Sequence, residues 1–171
     1  MNSGRNTYFP LFVDMAGKTV LFAGGGKITE RRITALLSVL KETSGEKKEG
    51  ELQIIVVSPE VTGVVDKCVR DGYIWWKRRK FSASDVDNVD FVIAATDCAD
   101  TNEAIVNICH EKGIPVNDAG NKKNCDFYFP GIAVKGDIVA GITASGTDHK
   151  LTKKVTEAVR ELLNHLMRQT R

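Results

Sequence analysis

Short apolar runs alternate with helically spaced apolar residues along the first 120 positions of the chain. The runs are bounded by glycine, proline and polar residues, which is typical of buried strands. They predict five strands, at residues 18–23, 52–57, 73–77, 89–95 and 114–117. Apolar residues at helical spacing predict helices between them, at about residues 28–40, 61–70 and 101–112. Strands that alternate with helices indicate an α/β fold, with a parallel sheet and helices on both faces.

The pattern changes after Asp126. Two apolar segments, residues 127–134 and 138–143, flank Gly136-Asp137 and predict an antiparallel β-hairpin. Between Leu151 and Met167 apolar residues recur every three or four positions, which predicts a long amphipathic C-terminal helix. The two domains expected from this change cover residues 1–120 and 121–171.

Composition narrows the class of protein. The chain has 171 residues, of which 42% are hydrophobic and 27% are charged, with a net charge of +2. This composition is typical of a globular protein and gives no reason to expect a nucleic-acid partner. No apolar run reaches the roughly 18 residues of a membrane helix, and the N-terminus lacks the features of a signal peptide. We therefore expect a cytoplasmic protein with no membrane partner.

The cysteines do not predict a disulfide framework or a metal site. Cys68, Cys98, Cys109 and Cys125 are too sparse for a disulfide scaffold, and none stands at a zinc-ligand spacing. We expect reduced thiols and no bound metal.

A glycine motif follows the first predicted strand. Gly24-x-Gly26-x-x-Thr29 stands between a strand and a helix, where Gly24 would allow a tight turn and Gly26 a close approach of the backbone to a pyrophosphate. This arrangement is typical of a Rossmann-like dinucleotide-binding domain, although a merely tight turn stays the alternative. The candidate cofactor-binding residues here are Gly24, Gly25, Gly26, Lys27 and Ile28.

The end of the second strand bears on the choice of dinucleotide. An acid that binds the ribose 2′-OH is expected about 20 residues after the glycine motif. Glu60 meets this spacing once residues 41–51, which have no apolar side chain and predict a solvated insertion, are discounted. No Arg or Lys accompanies Ser58-Pro59-Glu60 to hold a 2′-phosphate, so we expect NAD. Alternatively, Glu60 is an acid at a helix start that faces solvent.

Polar residues end the fourth and fifth strands. Because ligands bind outside the carboxyl ends of parallel strands, we assign Thr96, Asp97 and Asn117 to the cofactor. Capping of the next helix is the alternative for Thr96 and Asp97.

Several motifs together resemble one known family. They occur in the expected order, as Tyr8-Phe9-Pro10-Leu11-Phe12, the glycine turn with Glu30-Arg31-Arg32, Ala94-Ala95-Thr96-Asp97, Asn102, and Cys125-Asp126-Phe127-Tyr128-Phe129-Pro130. The chain is similar to the precorrin-2 dehydrogenase/sirohydrochlorin ferrochelatase family, the N-terminal module of siroheme synthase. The resemblance implies NAD-dependent oxidation of precorrin-2 to sirohydrochlorin and, in bifunctional members, insertion of Fe²⁺. It also implies a homodimer in which the hairpin and the C-terminal helix dimerise.

Two departures from the family affect the catalytic residues. The position of the family's acid/base carboxylate is Gly120 here, and the nearest carboxylate is Asp118, which could act as a general base or form a turn. Ala144-Ser145-Gly146-Thr147-Asp148-His149 replaces a family motif that ends in proline. His149 could bind a metal, carry a proton or face solvent in a loop before the last helix. We assign catalysis to Asp118 and His149, with a chelatase-only member or a non-catalytic dinucleotide or tetrapyrrole sensor as alternatives.

A cluster of aromatic and basic residues is not explained by these motifs. Residues 75–80 read Trp-Trp-Lys-Arg-Arg-Lys. Such residues can stack on and pair with an anionic ligand, either a tetrapyrrole or a nucleic acid, although no nucleic-acid recognition motif accompanies them. An exposed strand end is the simpler interpretation.

Overall fold

The computed structural model describes residues 8–43 and 52–169. Its helices and strands are, in chain order, β1 (Thr19–Ala23), α1 (Lys27–Thr43), β2 (Gln53–Val57), α2 (Gly63–Arg70), β3 (Trp75–Lys77), β4 (Phe91–Ala94), α3 (Ala99–Lys112), β5 (Val116–Asp118), β6 (Gly131–Lys135), β7 (Ile138–Ile142) and α4 (His149–Gln169). Two short 3-10 helices, Ala83–Val86 and Lys122–Asn124, precede β4 and follow β5.

The described residues form two compact units. The sheet unit contains residues 15–34 and 52–128, and the hairpin unit contains residues 8–14, 35–43 and 129–169. The boundary expected after residue 120 stays a prediction about which parts of the chain fold independently.

The sheet unit contains a five-stranded parallel sheet in the order β3-β2-β1-β4-β5. The chain moves outward from β1 in one direction through β2 and β3, and in the other through β4 and β5. Because parallel crossovers are right-handed, α1 and α2 cover one face and α3 the other. The predicted α/β fold with helices on both faces is confirmed. The order reverses between β1 and β4, which is where open α/β sheets bind their ligands.

Alternation along the strands divides the core between the two faces of the sheet. On the α3 face, Leu21, Val92 and Val116 pack with Ile105 and Cys109 of the helix. Phe22 and Ile93, one position further along their strands, are fully buried on the opposite face. Burial on both faces explains why the central strands β1 and β4 read as continuous apolar runs.

The hairpin unit contains the antiparallel pair β6–β7, as predicted. Gly136 takes a positive φ of 54° in the tight turn, a conformation that favours glycine. The Glu42 carboxylate accepts a hydrogen bond of 3.2 Å from the Gly136 N–H and ion-pairs with Lys135 at 3.5 Å. These contacts lower the pKa of Glu42, with the Gly136 bond as the larger cause. Arg160 of α4 donates to the Ile132 carbonyl at 2.7 Å, which ties the helix to β6.

Several predicted boundaries differ from the structure by two residues or more, and three of these differences change the interpretation of a segment. Helix α1 continues to Thr43, so residues 41–43 of the predicted insertion are helical, and residues 44–51 lie outside the described part of the chain. Strand β6 begins at Gly131 rather than at Phe127. The Phe127 carbonyl accepts the Asn117 side-chain N–H at 2.7 Å, and its ring packs edge-on against Phe91 at 5.6 Å, so Phe127 belongs to the sheet unit. His149 is the first residue of α4 rather than part of a loop before it.

Within the described ranges, no helix is both long enough and apolar enough to cross a bilayer.

Candidate functional site

The candidate site lies at the carboxyl edge of the sheet, where the loops after β1, β2, β4 and β5 meet. The Gly24 N–H donates to the Val57 carbonyl at 2.9 Å, and the Ala95 N–H donates to the Ala23 carbonyl at 2.8 Å. The Ala119 N–H donates to the Ala94 carbonyl at 2.8 Å. These bonds continue the sheet pairing one residue beyond the strands, so the four loops start from a common rigid edge.

The three consecutive glycines meet different surroundings. Gly24 has a φ of 107°, and a Cβ there would overlap the Ala95 carbonyl oxygen and lie 2.6 Å from its carbon. A Cβ on Gly25 would overlap the Glu60 carbonyl oxygen. A Cβ on Gly26 would meet nothing within 4 Å. Gly24 and Gly25 are therefore required by the fold, whereas Gly26 leaves open space in front of the backbone.

The first turn of α1 faces this open space. Gly26, Lys27 and Ile28 are exposed, whereas Thr29 is fully buried and donates its hydroxyl to the Gly24 carbonyl at 2.8 Å. This hydrogen bond from Thr29 stabilises the glycine turn. An exposed N-terminus of a 17-residue helix favours an anionic group, because its N–H groups and dipole point toward the ligand.

Lys27 is engaged within its own helix. Its ammonium group contacts both carboxylate oxygens of Glu30 at 3.0 Å. The pKa of Glu30 is lowered, first by a hydrogen bond from Thr62 and then by Lys27. Thr62 also accepts the Val65 N–H as the N-cap of α2, and its own N–H donates to the Gly25 carbonyl at 3.1 Å. Sequence analysis missed Thr62, although a threonine before an amphipathic helix is a typical cap signal.

The loop after β2 is clamped by β3. Ser58 is buried, its N–H donates to the Lys77 carbonyl at 3.2 Å, and its carbonyl accepts the indole N–H of Trp76 at 2.9 Å. Pro59 and Glu60 are exposed. We expected no Arg or Lys near this loop, and that expectation is wrong for the folded chain. Strand β3 runs parallel to β2 and ends in the basic residues 77–80.

Two of the four cations of the basic segment, residues 77–80, share one buried carboxylate. The buried Asp85 carboxylate accepts from Lys77 at 2.9 Å and from Arg79 at 2.6 Å. Burial would raise the pKa of Asp85, but hydrogen bonds from Arg79, Lys77 and the Ser82 N–H outweigh it and hold the value at about 2. Arg78 instead lies over the ring of Trp76, 4.8 Å from its centroid.

Asn102 organises the loop after β4. Its side chain accepts from the Thr96 N–H at 3.0 Å and donates to the Thr96 carbonyl at 3.1 Å. The Thr96 hydroxyl also donates to the same Asn102 oxygen at 2.7 Å. Asp97 is exposed at the tip of this loop. Thr96 thus lies at the predicted edge, but its hydroxyl is used to hold the loop.

Asn117 and Asp118 end β5 on opposite faces of the sheet. Asn117 is 2% exposed, and its amide binds the Phe127 carbonyl as described above.

Asp118 is 6% exposed and accepts the N–H groups of Gly120 at 2.8 Å and Asn121 at 3.2 Å on Oδ1. Its Oδ2 accepts from the Asn124 amide at 3.1 Å. A Cβ on Gly120 would lie 3.4 Å from Asp118 Oδ1, so the Asp118 carboxylate stands beside the place from which a side chain at position 120 would start.

Two further groups lie near Asp118. The Cys125 thiol donates to the Asp118 carbonyl at 3.1 Å, and burial raises the pKa of this thiol. Burial, followed by the charge of Arg31, lowers the pKa of Arg32 to about 10, while the charges of Cys125 and Asp118 act in the opposite direction. The spacing along α1 could have indicated that Arg32 is partly buried. Arg32 follows the buried Thr29 by three positions and directly precedes the buried Ile33, so it lies near the buried side of the helix.

His149 belongs to the hairpin unit and is exposed at the first position of α4. The neighbouring Asp148 caps this helix by accepting the Leu151 N–H at 2.8 Å. Among residues 8–43 and 52–169, no group of three His, Cys, Asp or Glu side chains could hold a metal ion.

The space bordered by these loops, here called the crevice, carries groups that suit a nicotinamide dinucleotide. Gly26 leaves room for a pyrophosphate at the N-terminus of α1, Glu60 lies exposed beyond β2, and a polar loop follows β4 on the other side of the strand-order reversal. These are the three features that a Rossmann-like domain uses.

Comparison with known proteins agrees with this geometry. The chain is 34% identical over 155 residues to the "Probable multifunctional siroheme biosynthesis protein HemA" of Ruminiclostridium josui, covering 90% of this chain and 28% of that protein. It is 29% identical over 156 residues to the siroheme synthase of Photorhabdus laumondii, covering 91% of this chain and 31% of that protein. The resemblance seen in the sequence motifs is thereby confirmed, and the chain spans about 30% of the length of these relatives.

A solved structure shares the fold. The structure "SirC, precorrin-2 dehydrogenase" superposes with a TM-score of 0.71 at 24% identity, covering 94% of this chain and 76% of that one. Residues 11–131 match the protein-family model described as "Putative NAD(P)-binding". The matched segment runs through the glycine turn and all five parallel strands, and the chain therefore belongs to this NAD(P)-binding family.

Proposed function

We propose that the chain binds NAD at the carboxyl edge of the sheet unit and oxidises precorrin-2 to sirohydrochlorin. The observation that carries the proposal is the open space at Gly26, beside the strand-order reversal and on the same sheet edge as the Asp118 carboxylate. The substrate class is supported by relatives named for siroheme synthesis and by a shared fold with a precorrin-2 dehydrogenase. Bound NAD⁺ supplies the acceptor for a hydride.

The loops of the sheet unit bind and orient the dinucleotide. The exposed turn from Gly26 to Ile28 receives the pyrophosphate at the N-terminus of α1. Glu60 accepts a hydrogen bond from the ribose 2′-OH, which favours NAD over NADP. The loop from Thr96 to Asp97, held by Asn102, borders the nicotinamide end of the crevice.

Asp118 takes the proton that leaves with the hydride. An ionised carboxylate has about four acceptor positions, and the described contacts of Asp118 use three of them, two on Oδ1 and one on Oδ2. One position on Oδ2 is left for a substrate proton. The turn also brings Oδ1 beside the start of a side chain at position 120, which supports Asp118 as the substitute for the missing carboxylate. We keep His149 in the proposal as an exposed proton carrier of the hairpin unit.

The test combines precorrin-2 with NAD⁺ and follows the absorbance of NADH and of sirohydrochlorin. Asp118→Asn retains an oxygen for the two backbone N–H groups but removes the base, and the rate is expected to fall at least about 10²-fold. Asn124→Ala is the matched control, because it removes one donor to the carboxylate and leaves the carboxylate itself. Its rate should stay within about tenfold of the parent rate. Turnover by Asp118→Asn at the parent rate would contradict the assignment.

We also propose a homodimer formed through the hairpin unit. An isolated two-stranded hairpin is marginally stable, and apolar side chains are exposed on this unit. The exposed set comprises Phe9, Leu11, Phe12, Val13, Ile138, Leu151, Val155, Leu162 and Leu166. A second copy of the chain would bury them. Sedimentation at micromolar concentration should give a dimer, and Leu162→Glu should shift it toward monomer; a parent protein that sediments only as monomer refutes the proposal.

Fe²⁺ is the second substrate that the proposal includes. A chelatase needs a base that removes pyrrole protons as the metal enters, and Asp118 is the buried carboxylate at the crevice. Anaerobic incubation of sirohydrochlorin with Fe²⁺ tests this step through the absorbance of siroheme. Formation of siroheme at the rate of the protein-free reaction would remove Fe²⁺ from the proposal.

A further inference from the structure

The segment after β3 carries positive charge to the end of the crevice that the NAD proposal assigns to the ribose. Strand β3 pairs with β2 in parallel, with Val57 opposite Lys77. Both backbone groups of Ser58 bind this segment, the N–H to the Lys77 carbonyl and the carbonyl to the Trp76 indole. The residues that follow Lys77 therefore leave the sheet beside the residues that follow Val57, which lead to Glu60.

The charges of this segment are not equivalent. Lys77 and Arg79 both contact the Asp85 carboxylate, which is 1% exposed. Arg78 and Lys80 form no ion pair with any carboxylate of the described residues. Two of the four consecutive cations thus share one carboxylate, and the other two remain available to an anionic ligand.

Arg78 differs from Lys80 because its side chain is positioned by an aromatic ring. Its guanidinium lies over the Trp76 ring, 4.8 Å from the centroid, and the same ring is anchored by its N–H on the Ser58 carbonyl at 2.9 Å. Stacking on a fixed ring restricts the positions that the guanidinium can take. A planar guanidinium also matches the geometry of a phosphate, which it can bind through two N–H groups.

We propose that Arg78 is a specificity-determining residue of the dinucleotide site, placed to bind a phosphate on the ribose 2′-oxygen. This inference rests on the proposed dinucleotide site. Glu60 favours the unmodified ribose of NAD, while Arg78 offsets the repulsion between Glu60 and a 2′-phosphate. The protein then accepts NADP as well as NAD, and Arg78 sets how large the preference is.

The experiment is a calorimetric titration of the full chain with NAD and, separately, with NADP at one fixed ionic strength. Arg78→Gln should weaken NADP binding about tenfold, which corresponds to about 1.4 kcal/mol, and change NAD binding less than about twofold. Lys80→Gln is the matched control, because it removes the same charge from an exposed neighbour that does not stack on Trp76. It should change the NADP-to-NAD ratio of dissociation constants less than about twofold. Thermal unfolding of each variant checks that the fold is unchanged.

The outcomes separate this inference from the proposed function. If NAD binds but Arg78→Gln shifts the ratio no more than Lys80→Gln does, the role of Arg78 is refuted and the dinucleotide site stands. If the parent protein binds neither dinucleotide, both fail together. Arg78→Lys adds a second check, since it keeps the charge but loses the planar group, and it should retain only part of the NADP affinity.

Discussion

Adding one methyl group to the glycine turn should separate folding from cofactor binding. Gly24→Ala places a Cβ on a residue with a φ of 107°, where it overlaps the Ala95 carbonyl. The backbone strain alone costs about 1–3 kcal/mol. Relief of the overlap requires the loop after β4 to move, which endangers the bond from the Ala95 N–H to the Ala23 carbonyl and the clamp of Asn102 on Thr96. At about 1 kcal/mol for each of two bonds, the free energy of unfolding should fall by about 3–5 kcal/mol.

Gly26→Ala is the matched variant. Its Cβ meets no atom within 4 Å, so the free energy of unfolding should change by less than about 0.5 kcal/mol. The same methyl group occupies the space assigned to the pyrophosphate, and NAD should bind at least about tenfold more weakly. Urea denaturation measures the first quantity and calorimetric titration the second. Parent-like NAD affinity in Gly26→Ala would refute the location of the pyrophosphate, and parent-like stability in Gly24→Ala would refute the close approach to Ala95.

Three further predictions concern acid stability, thiol reactivity and the hairpin unit. Asp85→Asn should lower the free energy of unfolding at pH 7. The difference in this free energy between variant and parent should shrink as the pH falls from about 4 to about 2, because a carboxyl with a folded pKa of about 2 stabilises the fold only while it is ionised. Urea denaturation across this pH range measures the difference. Iodoacetamide should label Cys98 before Cys109 in a mass-spectrometric time course. Hydrogen bonds from Thr101 lower the pKa of the exposed Cys98 thiol, whereas burial raises the pKa of the Cys109 thiol to about 11. Equal labelling rates would contradict this reasoning. His149→Ala should slow precorrin-2 oxidation if the imidazole carries the released proton away, whereas oxidation at the parent rate would remove His149 from the proposal.

The strands of the parallel sheet could be predicted because their signals are local. The clearest are apolar runs that stop at a turn residue, as β1 stops at Gly24 and β2 before Pro59. The start of β6 could not be found in this way. Phe127 continues an apolar pattern that is typical of a strand, but its partners are Asn117 and Phe91, which only the folded sheet brings near.

The site shows the same limit. The glycine turn could be identified from its spacing, and the structure places it at the expected strand end. The position of Arg78 beside Ser58 depends on the pairing of β3 with β2, so no inspection of residues 58–60 alone could reveal it. Asn117 was assigned to the crevice from its place at a strand end. The face of the sheet on which its side chain lies depends on alternation along the strand and on its hydrogen-bond partner. The Asn117 amide donates to the Phe127 carbonyl.

The proximity of Asp118 to position 120 restricts the order in which this loop can change by mutation. An aspartate introduced at position 120 would start with its Cβ 3.4 Å from Asp118 Oδ1 and so bring a second carboxylate close to Asp118, and like charges held close together disfavour each other's ionisation. Gly120→Asp alone should therefore be harmful, although the same residue is tolerated once position 118 is neutral. The two positions are therefore coupled, and the effects of substitutions at positions 118 and 120 should not add.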